Sequence, residues 1–119
     1  MKQCIFCKII KGEIPAEVIY SDRNFIVFKD IKPKAPIHIL IVPKKHIISI
    51  NHLEDGDKEL IGELFLMAGK MAEEVGLKEK GYKLVFNVGK GGGQIIDHLH
   101  LHLLGGWKSG EKRDIPGMP

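Results

Sequence analysis

The sequence predicts a single α+β domain in which an antiparallel sheet packs against one long helix. Short apolar stretches bounded by turn residues lie both before and after one long amphipathic segment. That segment, near residues 57–75, has apolar side chains at helical spacing over several turns. The length of 119 residues fits one domain and is too short for two ordinary ones.

The first elements are a short helix and a hairpin. Residues 4–10 are rich in apolar side chains and are followed by Gly12, which predicts a short helix or turn. Residues 18–20 and 25–28 are mostly β-branched or aromatic, and the polar residues 21–24 separate them. We therefore expect the first two strands to pair as an antiparallel hairpin.

A third strand is expected at residues 37–42. Prolines lie before it and Pro43 closes it, because proline removes a backbone donor that a sheet needs. Successive side chains of a strand point to opposite faces. His38, Leu40 and Val42 therefore share one face of this strand.

One long helix and two further strands complete the predicted domain. The helix covers about residues 57–75 and is followed by Gly76. Its apolar positions are Leu60, Ile61, Leu64, Phe65, Ala68, Met71, Ala72 and Val75. Residues 82–88 form a fourth strand, the glycine-rich residues 89–93 a loop, and residues 95–104 a fifth strand. Strands on both sides of a single helix imply an antiparallel α+β architecture.

Composition limits the classes of partner. The net charge is +3, and the lysines are spread along the chain, which suits a small phosphate-bearing ligand better than a long nucleic acid. No apolar stretch reaches the roughly 18 residues that are needed to cross a bilayer. The amino terminus lacks the pattern of a secretory signal. We therefore expect a cytoplasmic protein that binds neither nucleic acid nor membrane.

Three histidines alternate with leucines in the predicted fifth strand. His98, His100 and His102 would lie on one face at a spacing of about 6.6 Å, with the leucines facing the core. Solvated histidines on an exposed strand are one interpretation, but such positions usually carry Thr, Lys or Glu. Half of the six histidines of the chain gather here, which favours a chemical role.

Two chemical roles fit such a row. The imidazoles can chelate a catalytic metal, or the central one can attack phosphorus while its neighbours fix its tautomer. The second role is favoured by the glycines at 91–93, because a glycine loop lets backbone N–H groups cradle phosphate oxygens. A metal-dependent hydrolase is also expected to have carboxylate ligands. Only Asp97 lies nearby, on the opposite face of the predicted strand.

The motif at His98, His100 and His102 resembles that of the histidine triad family, in which three histidines alternate with apolar residues. Together with other segments of the chain, it resembles the phosphoramidase branch of that family most. The matching segments are residues 5–10, 12–16, 28–38, 42–46 and 93–106. The resemblance covers about residues 4–106. It implies the histidine triad fold in a single domain, residues 1–106. Residues 107–119 would form a tail that is mobile or docked at a dimer interface.

The resemblance implies a homodimeric hydrolase of purine nucleotide derivatives such as nucleoside 5′-phosphoramidates. The reaction would pass through a nucleotidyl-histidine and require no cofactor. His100 would be the nucleophile. His102, together with backbone near Gly93, would stabilise charge on the phosphate oxygens. His98 and His38 would hold the protonation pattern of the network.

The resemblance also implies how the nucleotide is bound. Asp30 would bind the ribose hydroxyls, and Asn87 and Gln94 would reach the phosphate or the sugar. Six apolar residues would form the purine slot: Ile5, Phe6, Ile9, Ile14, Phe28 and Ile31. For Ile9 and Ile14, ordinary core packing is an equal alternative.

Cys4 and Cys7 form a C-x-x-C pair, which in a reducing compartment indicates metal or redox use. A tetrahedral zinc site needs two further ligands. Some bacterial members of the histidine triad family bind structural zinc through such a pair together with two histidines, and the resemblance implies His46 and His98 as the matching positions here. The alternative is that both cysteines are reduced and packed as small hydrophobic residues.

Two other functions stay open at this point. One is hydrolysis of dinucleoside polyphosphates, although the Leu-Leu-Gly-Gly at 103–106 resembles the phosphoramidase branch more. The other is a nucleotide-binding adaptor whose hydrolytic activity is vestigial. Ile95 stands where animal phosphoramidases have a serine that assists the leaving group, so the range of leaving groups is open as well.

Overall fold

The computed structural model describes residues 4–113 and has its elements in the predicted order. Its helices and strands are α1 (Ile5–Ile10), β1 (Val18–Ser21), β2 (Phe25–Lys29), β3 (Ile37–Pro43), α2 (Lys58–Glu74), β4 (Tyr82–Val85) and β5 (Leu101–Gly105). The strands form one antiparallel sheet in the order β1-β2-β3-β5-β4. The predicted α+β fold, with a five-stranded antiparallel sheet, one long helix and a short amino-terminal helix, is confirmed.

Two strands are shorter than the sequence pattern predicts. β4 ends at Val85 instead of residue 88, and β5 begins at Leu101 instead of residue 95. Residues 94–100 have no ladder partners in the sheet. Alternation of apolar and polar side chains indicates an extended backbone with the apolar core on one side and polar surroundings on the other. It does not require that the backbone pairs with a neighbouring strand.

The three histidines therefore do not form one row on a strand, and that prediction is wrong. His102 lies in β5 opposite Leu40 of β3, whereas His98 and His100 precede the strand. Outside the sheet, the Leu99 N–H donates to the Ile47 carbonyl at 2.6 Å. Because strand pairing begins only after His100, the rings of His98 and His100 can contact different partners from the ring of His102.

Helix α2 covers one face of the sheet. The buried core on this side contains Phe25, Val27, Ile39, Ile41, Leu64, Met67, Ala68, Met71, Ala72, Leu77, Leu101 and Leu103. Burial of these side chains is the main source of stability for a domain of this size. Phe65, expected on the apolar helix face, is instead exposed. Among the helices of the described residues, none is long and apolar enough to span a membrane.

Helix α1 packs on the opposite face. Phe6 is buried there among Ile26, Phe28, Leu40 and Val42. With six residues, α1 is far too short to be stable as an isolated helix. Its position therefore depends on the groups that attach it to the sheet.

The beginning of the predicted tail contacts the sheet. Trp107 packs against Leu104, and the Lys83 Nζ lies 5.9 Å from the centre of the Trp107 ring. The same ammonium donates to the Arg113 carbonyl at 2.7 Å. Residues 1–3 and 114–119 lie outside the described range. Mobility of the tail, or its docking at a dimer interface, stays a prediction.

Candidate active site

Three of the predicted catalytic histidines, His38, His100 and His102, are neighbours. The His38 Nε2 lies 2.9 Å from the His102 Nδ1, and the ring centroids of His100 and His102 are 4.9 Å apart. All three side chains are buried. The interpretation of the motif as solvated histidines is therefore wrong.

A backbone donor fixes the tautomers of His38 and His102. The Lys34 N–H donates to the His38 Nδ1 at 3.1 Å, so this nitrogen carries no proton. The His38 Nε2–H then donates to the His102 Nδ1, which leaves the His102 proton on its Nε2. Burial lowers the pKa of His38 and lowers the pKa of His102 to about 3. Near pH 7, His102 is therefore a neutral hydrogen-bond donor through Nε2.

A backbone acceptor fixes His100 in the opposite tautomer. The His98 carbonyl accepts from the His100 Nδ1–H at 2.6 Å, so the lone pair of His100 is on Nε2. Burial lowers the pKa of His100, which keeps this ring neutral near pH 7. The site therefore places a lone pair on one Nε2 beside a proton on the neighbouring Nε2. This is the pairing that a nucleophile and an oxyanion donor require.

Both Nε2 atoms are accessible. Within residues 4–113, neither the His100 Nε2 nor the His102 Nε2 has a hydrogen-bond partner. No buried side-chain nitrogen or oxygen in this part of the chain lacks a partner. The two atoms must therefore reach the solvent, where a substrate can meet them.

An apolar wall borders His100. The Phe6 ring lies edge-on to the His100 ring, with centroids 5.0 Å apart, and packs against Phe28 at 5.4 Å. Ile9 packs against the same cluster. The structure therefore brings together three of the six residues that were predicted to form the purine slot.

The other three predicted slot residues are less enclosed. Ile14 is half-buried, Ile5 is exposed, and Ile31 is 94% exposed. An isoleucine this exposed offers apolar surface that a ligand can cover. Contact of these three residues with a purine stays a prediction.

The glycine-rich loop is closed by its own backbone. The Gly92 N–H and the Gln94 N–H donate to the Gly89 carbonyl, and the Gly93 N–H donates to the Lys90 carbonyl. These three N–H groups are therefore not free to cradle phosphate oxygens in this conformation, contrary to the expectation from the sequence. Gly93 has a φ of +84°, which favours glycine.

Gln94 and Asn87 hold this loop in place. The Gln94 Nε2 donates to the carbonyls of Ile48 and Ile96 at 2.7 and 2.9 Å, and its Oε1 accepts a loop N–H at 2.9 Å. The Asn87 Nδ2 donates to the Gly92 carbonyl at 2.8 Å. Both amides therefore shape the loop, and their contact with a phosphate or sugar stays a prediction.

The second cluster contains the four predicted metal ligands. The Cys4 Sγ lies 3.3 Å from the His98 Nδ1, the Cys7 Sγ lies 3.3 Å from the His46 Nδ1, and the two Nδ1 atoms are 3.1 Å apart. Around a tetrahedral zinc with bonds of about 2.0 to 2.3 Å, donor atoms lie about 3.3 to 3.8 Å from one another. The observed distances are close to those of a tetrahedral donor set.

The hydrogen bonds of His98 leave the correct nitrogen free for a metal. Its Nε2–H donates to the Pro43 carbonyl at 2.7 Å, so the lone pair is on Nδ1, the nitrogen that faces Cys4. Both cysteines are free thiols. Two thiolates and two neutral imidazoles form a donor set that zinc prefers, so these residues fit this metal.

Asp30, His38 and His102 also bring three potential ligand atoms within 4.8 Å of one another. The Asp30 Oδ2 lies 3.4 Å from the His38 Nε2. These residues do not fit a metal, because a metal on the His38 Nε2 would require a proton on Nδ1, where the Lys34 N–H already donates. The trio is a hydrogen-bonded network. Of the histidine motif, only His98 faces a cluster that fits a metal.

Comparisons with known proteins identify the family of this chain. Residues 3–114 match the family model described as scavenger mRNA decapping enzyme C-term binding. The chain is similar to the crystal structure of a HIT family hydrolase from Legionella pneumophila Philadelphia 1, with 55% identity, a TM-score of 0.87, and coverage of 89% of this chain and 95% of that one.

Two further relatives are informative. The purine nucleoside phosphoramidase of Escherichia coli is 42% identical over 105 residues, which are 88% of this chain and 88% of that protein. The crystal structure of a Zn-bound histidine triad family protein from Mycobacterium smegmatis has 32% identity and a TM-score of 0.77, and the match covers 93% of this chain and 79% of that one. The identities and the coverage lead to one assignment: the chain belongs to the histidine triad family of hydrolases.

Proposed function

We propose that this protein is a nucleotide hydrolase that cleaves purine nucleoside 5′-phosphoramidates, or related nucleoside monophosphate derivatives, through a covalent nucleotidyl-histidine at His100. The pair of opposite tautomers carries this proposal: a lone pair on the His100 Nε2 lies beside a proton on the His102 Nε2. The similarity to the purine nucleoside phosphoramidase of Escherichia coli supports the substrate class.

In the first step, the His100 Nε2 lone pair attacks the α-phosphorus and the bond from phosphorus to the leaving nitrogen breaks. The leaving amine takes a proton from solvent. The His100 Nδ1–H stays bonded to the His98 carbonyl, which stabilises the positive charge that develops on the imidazole. The His102 Nε2–H donates to a phosphate oxygen. In the second step, water attacks the phosphorus, the bond from phosphorus to the His100 Nε2 breaks, and one proton of the water returns to solvent. The nucleoside monophosphate leaves, and His100 is neutral again.

The nucleotide would lie between the histidines and the apolar wall. The purine would lie beside Phe6 and cover the exposed side chains of Ile5 and Ile31. Asp30 would accept hydrogen bonds from the ribose hydroxyls. The half-buried Asp30 carboxylate is already oriented, because its Oδ1 accepts from the Lys32 N–H at 2.8 Å. For Asn87 and Gln94 to reach the phosphate, part of their present bonding to the loop would have to be exchanged.

We also propose that Cys4, Cys7, His46 and His98 hold a structural zinc ion. The convergence of four donor atoms and the free Nδ1 of His98 support this assignment. The zinc would attach α1 to the sheet, and the reaction described above uses imidazoles alone, with no cofactor. Thiolate ligands persist in a reducing compartment, which supports the expected cytoplasmic location.

Dimerisation through the edge of the sheet is a further part of the proposal. β4 is an edge strand with exposed Tyr82 and Leu84, and α2 exposes Phe65 and Leu66. The ring of exposed Phe65 lies 6.2 Å from that of half-buried Phe86, just beyond β4, so the exposed side of α2 comes close to the end of this strand. An unpaired strand beside exposed apolar side chains is a surface that a second copy can bury.

Replacing the nucleophile should abolish turnover. In His100→Ala, kcat/KM for adenosine 5′-phosphoramidate should fall by at least about a thousandfold, because the covalent pathway is lost. His52→Ala is the matched control, since His52 is exposed and belongs to neither cluster; it should hydrolyse the substrate at the wild-type rate. Equal activity of the wild type and His100→Ala would remove the basis of the catalytic proposal.

The neutral state of His102 predicts how stability changes with pH. The pKa of a histidine in an unfolded chain is about 6.5, whereas the pKa of His102 in the folded protein is about 3. Between these values the unfolded chain binds more protons, so the contribution of His102 is present at pH 7 and declines as the pH falls. From pH 7 to pH 5 the decline is about 2 kcal/mol at most.

This decline is measured by urea unfolding at pH 7 and pH 5. The loss of unfolding free energy between the two should be smaller in His102→Gln than in the wild type. His52→Gln, at an exposed position, should keep the full wild-type loss. An identical loss in His102→Gln would show that His102 is not buried in the neutral form.

The metal proposal is tested by elemental analysis of protein purified without added chelator. The wild type should contain about one zinc per chain, and Cys4→Ser should contain much less, because a serine hydroxyl is a poor zinc ligand. Zinc retained equally by Cys4→Ser would exclude this ligand set.

Sedimentation equilibrium tests the proposed dimer. The wild type should have twice the mass of the chain, and Leu84→Glu on the edge strand should shift the population to monomer, because it places a charge in the apolar interface. A wild type that stays monomeric at high micromolar concentration would contradict the dimer.

A further inference from the structure

His98 takes part in both clusters. Its Nδ1 lies 3.3 Å from the Cys4 Sγ and 3.1 Å from the His46 Nδ1, while its own carbonyl accepts from the His100 Nδ1 at 2.6 Å. Its side chain is fully buried, with 0% exposure. A single residue therefore joins the metal ligands to the hydrogen bond that sets the tautomer of His100.

Helix α1 provides a second connection. Cys4 is the amino-terminal cap of α1, where its Sγ accepts from the Cys7 N–H at 3.4 Å, so both cysteines belong to this short helix and its cap. Between them, Phe6 contacts the rings of His98 and His100, with centroid distances of 5.9 and 5.0 Å. Any group that fixes the two sulfur atoms also fixes the apolar wall beside His100.

Without a metal, only weak contacts join these four donors, and α1 is held to the sheet by the packing of Phe6, Ile9 and Ile10. The contacts within the cluster are then hydrogen bonds of thiols and imidazoles, and thiols are weak donors and acceptors. Metal binding at such a site is directly coupled to the folding of the segment that carries the ligands. Since α1 is too short to be stable alone, its order depends on this packing together with the occupied metal site.

We propose that the metal centre positions the nucleophile, through the backbone of His98 and through Phe6. Bound metal holds α1 and His98 so that His100 keeps its Nδ1–H on the His98 carbonyl and its Nε2 toward the substrate. Loss of the metal lowers the turnover number and the nucleotide affinity while the sheet stays folded. His98 is thus a positioning residue; this inference rests on the proposed function for the identity of the nucleophile and of the metal site.

His46→Ala tests this inference most cleanly. His46 is exposed and lies outside both α1 and the histidine motif, so the substitution removes one ligand and leaves Cys4, Cys7 and His98 intact. His52→Ala is the matched control. Four quantities are compared with the wild type: zinc content, the His100 tautomer from long-range ¹H–¹⁵N correlation, hydrogen exchange of the α1 and sheet amides, and the kinetics together with the Kd for AMP.

In His46→Ala, zinc content should fall and the amides of Lys8 and Lys11 should lose protection, whereas the β3 and β5 amides keep theirs. The His100 signals should change from pure Nδ1–H to a mixture of tautomers. The value of kcat should fall at least about tenfold, since a small misplacement of a reacting group is costly, and AMP should bind more weakly. His52→Ala should match the wild type in every quantity.

The inference is overturned if His46→Ala loses zinc but keeps the His100 tautomer, the α1 protection and kcat. It is also overturned if the variant keeps its zinc, or if the sheet loses protection along with α1. Failure of the proposed function is recognised separately, because His100→Ala would then be as active as the wild type. The tautomer and exchange measurements would still decide whether the metal orders α1 and His100.

Discussion

The structure of this site depends on the fixed tautomers of its buried imidazoles. A neutral imidazole has one donor and one acceptor nitrogen, and which is which decides what the ring can do. Here the backbone N–H of Lys34 fixes the tautomer of His38, and the backbone carbonyl of His98 fixes the tautomer of His100. His102 follows from His38. Burial lowers the pKa values of these rings, so the assignment holds at neutral pH.

The break in the ladder before β5 makes two sites out of one motif. A continuous strand would place all three histidine rings on one face. Because pairing begins only at Leu101, His98 instead directs its ring toward Cys4 and His46, and the His102 ring meets His38. The backbone carbonyl of His98 still accepts a hydrogen bond from the His100 Nδ1–H. The candidate metal ligands and the proposed catalytic network thus share one residue, His98, through its ring and its backbone carbonyl.

The sequence predicted the fold class and element order well, because α2 and the strands have strong apolar periods. Spacing alone pointed to the three histidines of the motif and to the cysteine pair, whereas His38 and His46, which meet them in the two clusters, came from the resemblance to the histidine triad family. Sequence reasoning failed where a hydrogen bond of the backbone determines the tautomer of a histidine or the free donors of a loop. Nothing in the sequence marks the Lys34 N–H or the Pro43 carbonyl as partners of histidine rings. A run of glycines also does not indicate that its N–H groups donate to carbonyls of the same loop.

The proposed reaction requires that the His100 Nε2 forms a bond to phosphorus. Rapid quenching of a single turnover with adenosine 5′-phosphoramidate, followed by peptide mass mapping, tests it directly. We expect a transient adduct of one AMP moiety on His100 of the wild-type protein, which decays as AMP appears. Product formation with no adduct at a time resolution shorter than the turnover, or an adduct on His98 or His102 instead, would contradict it.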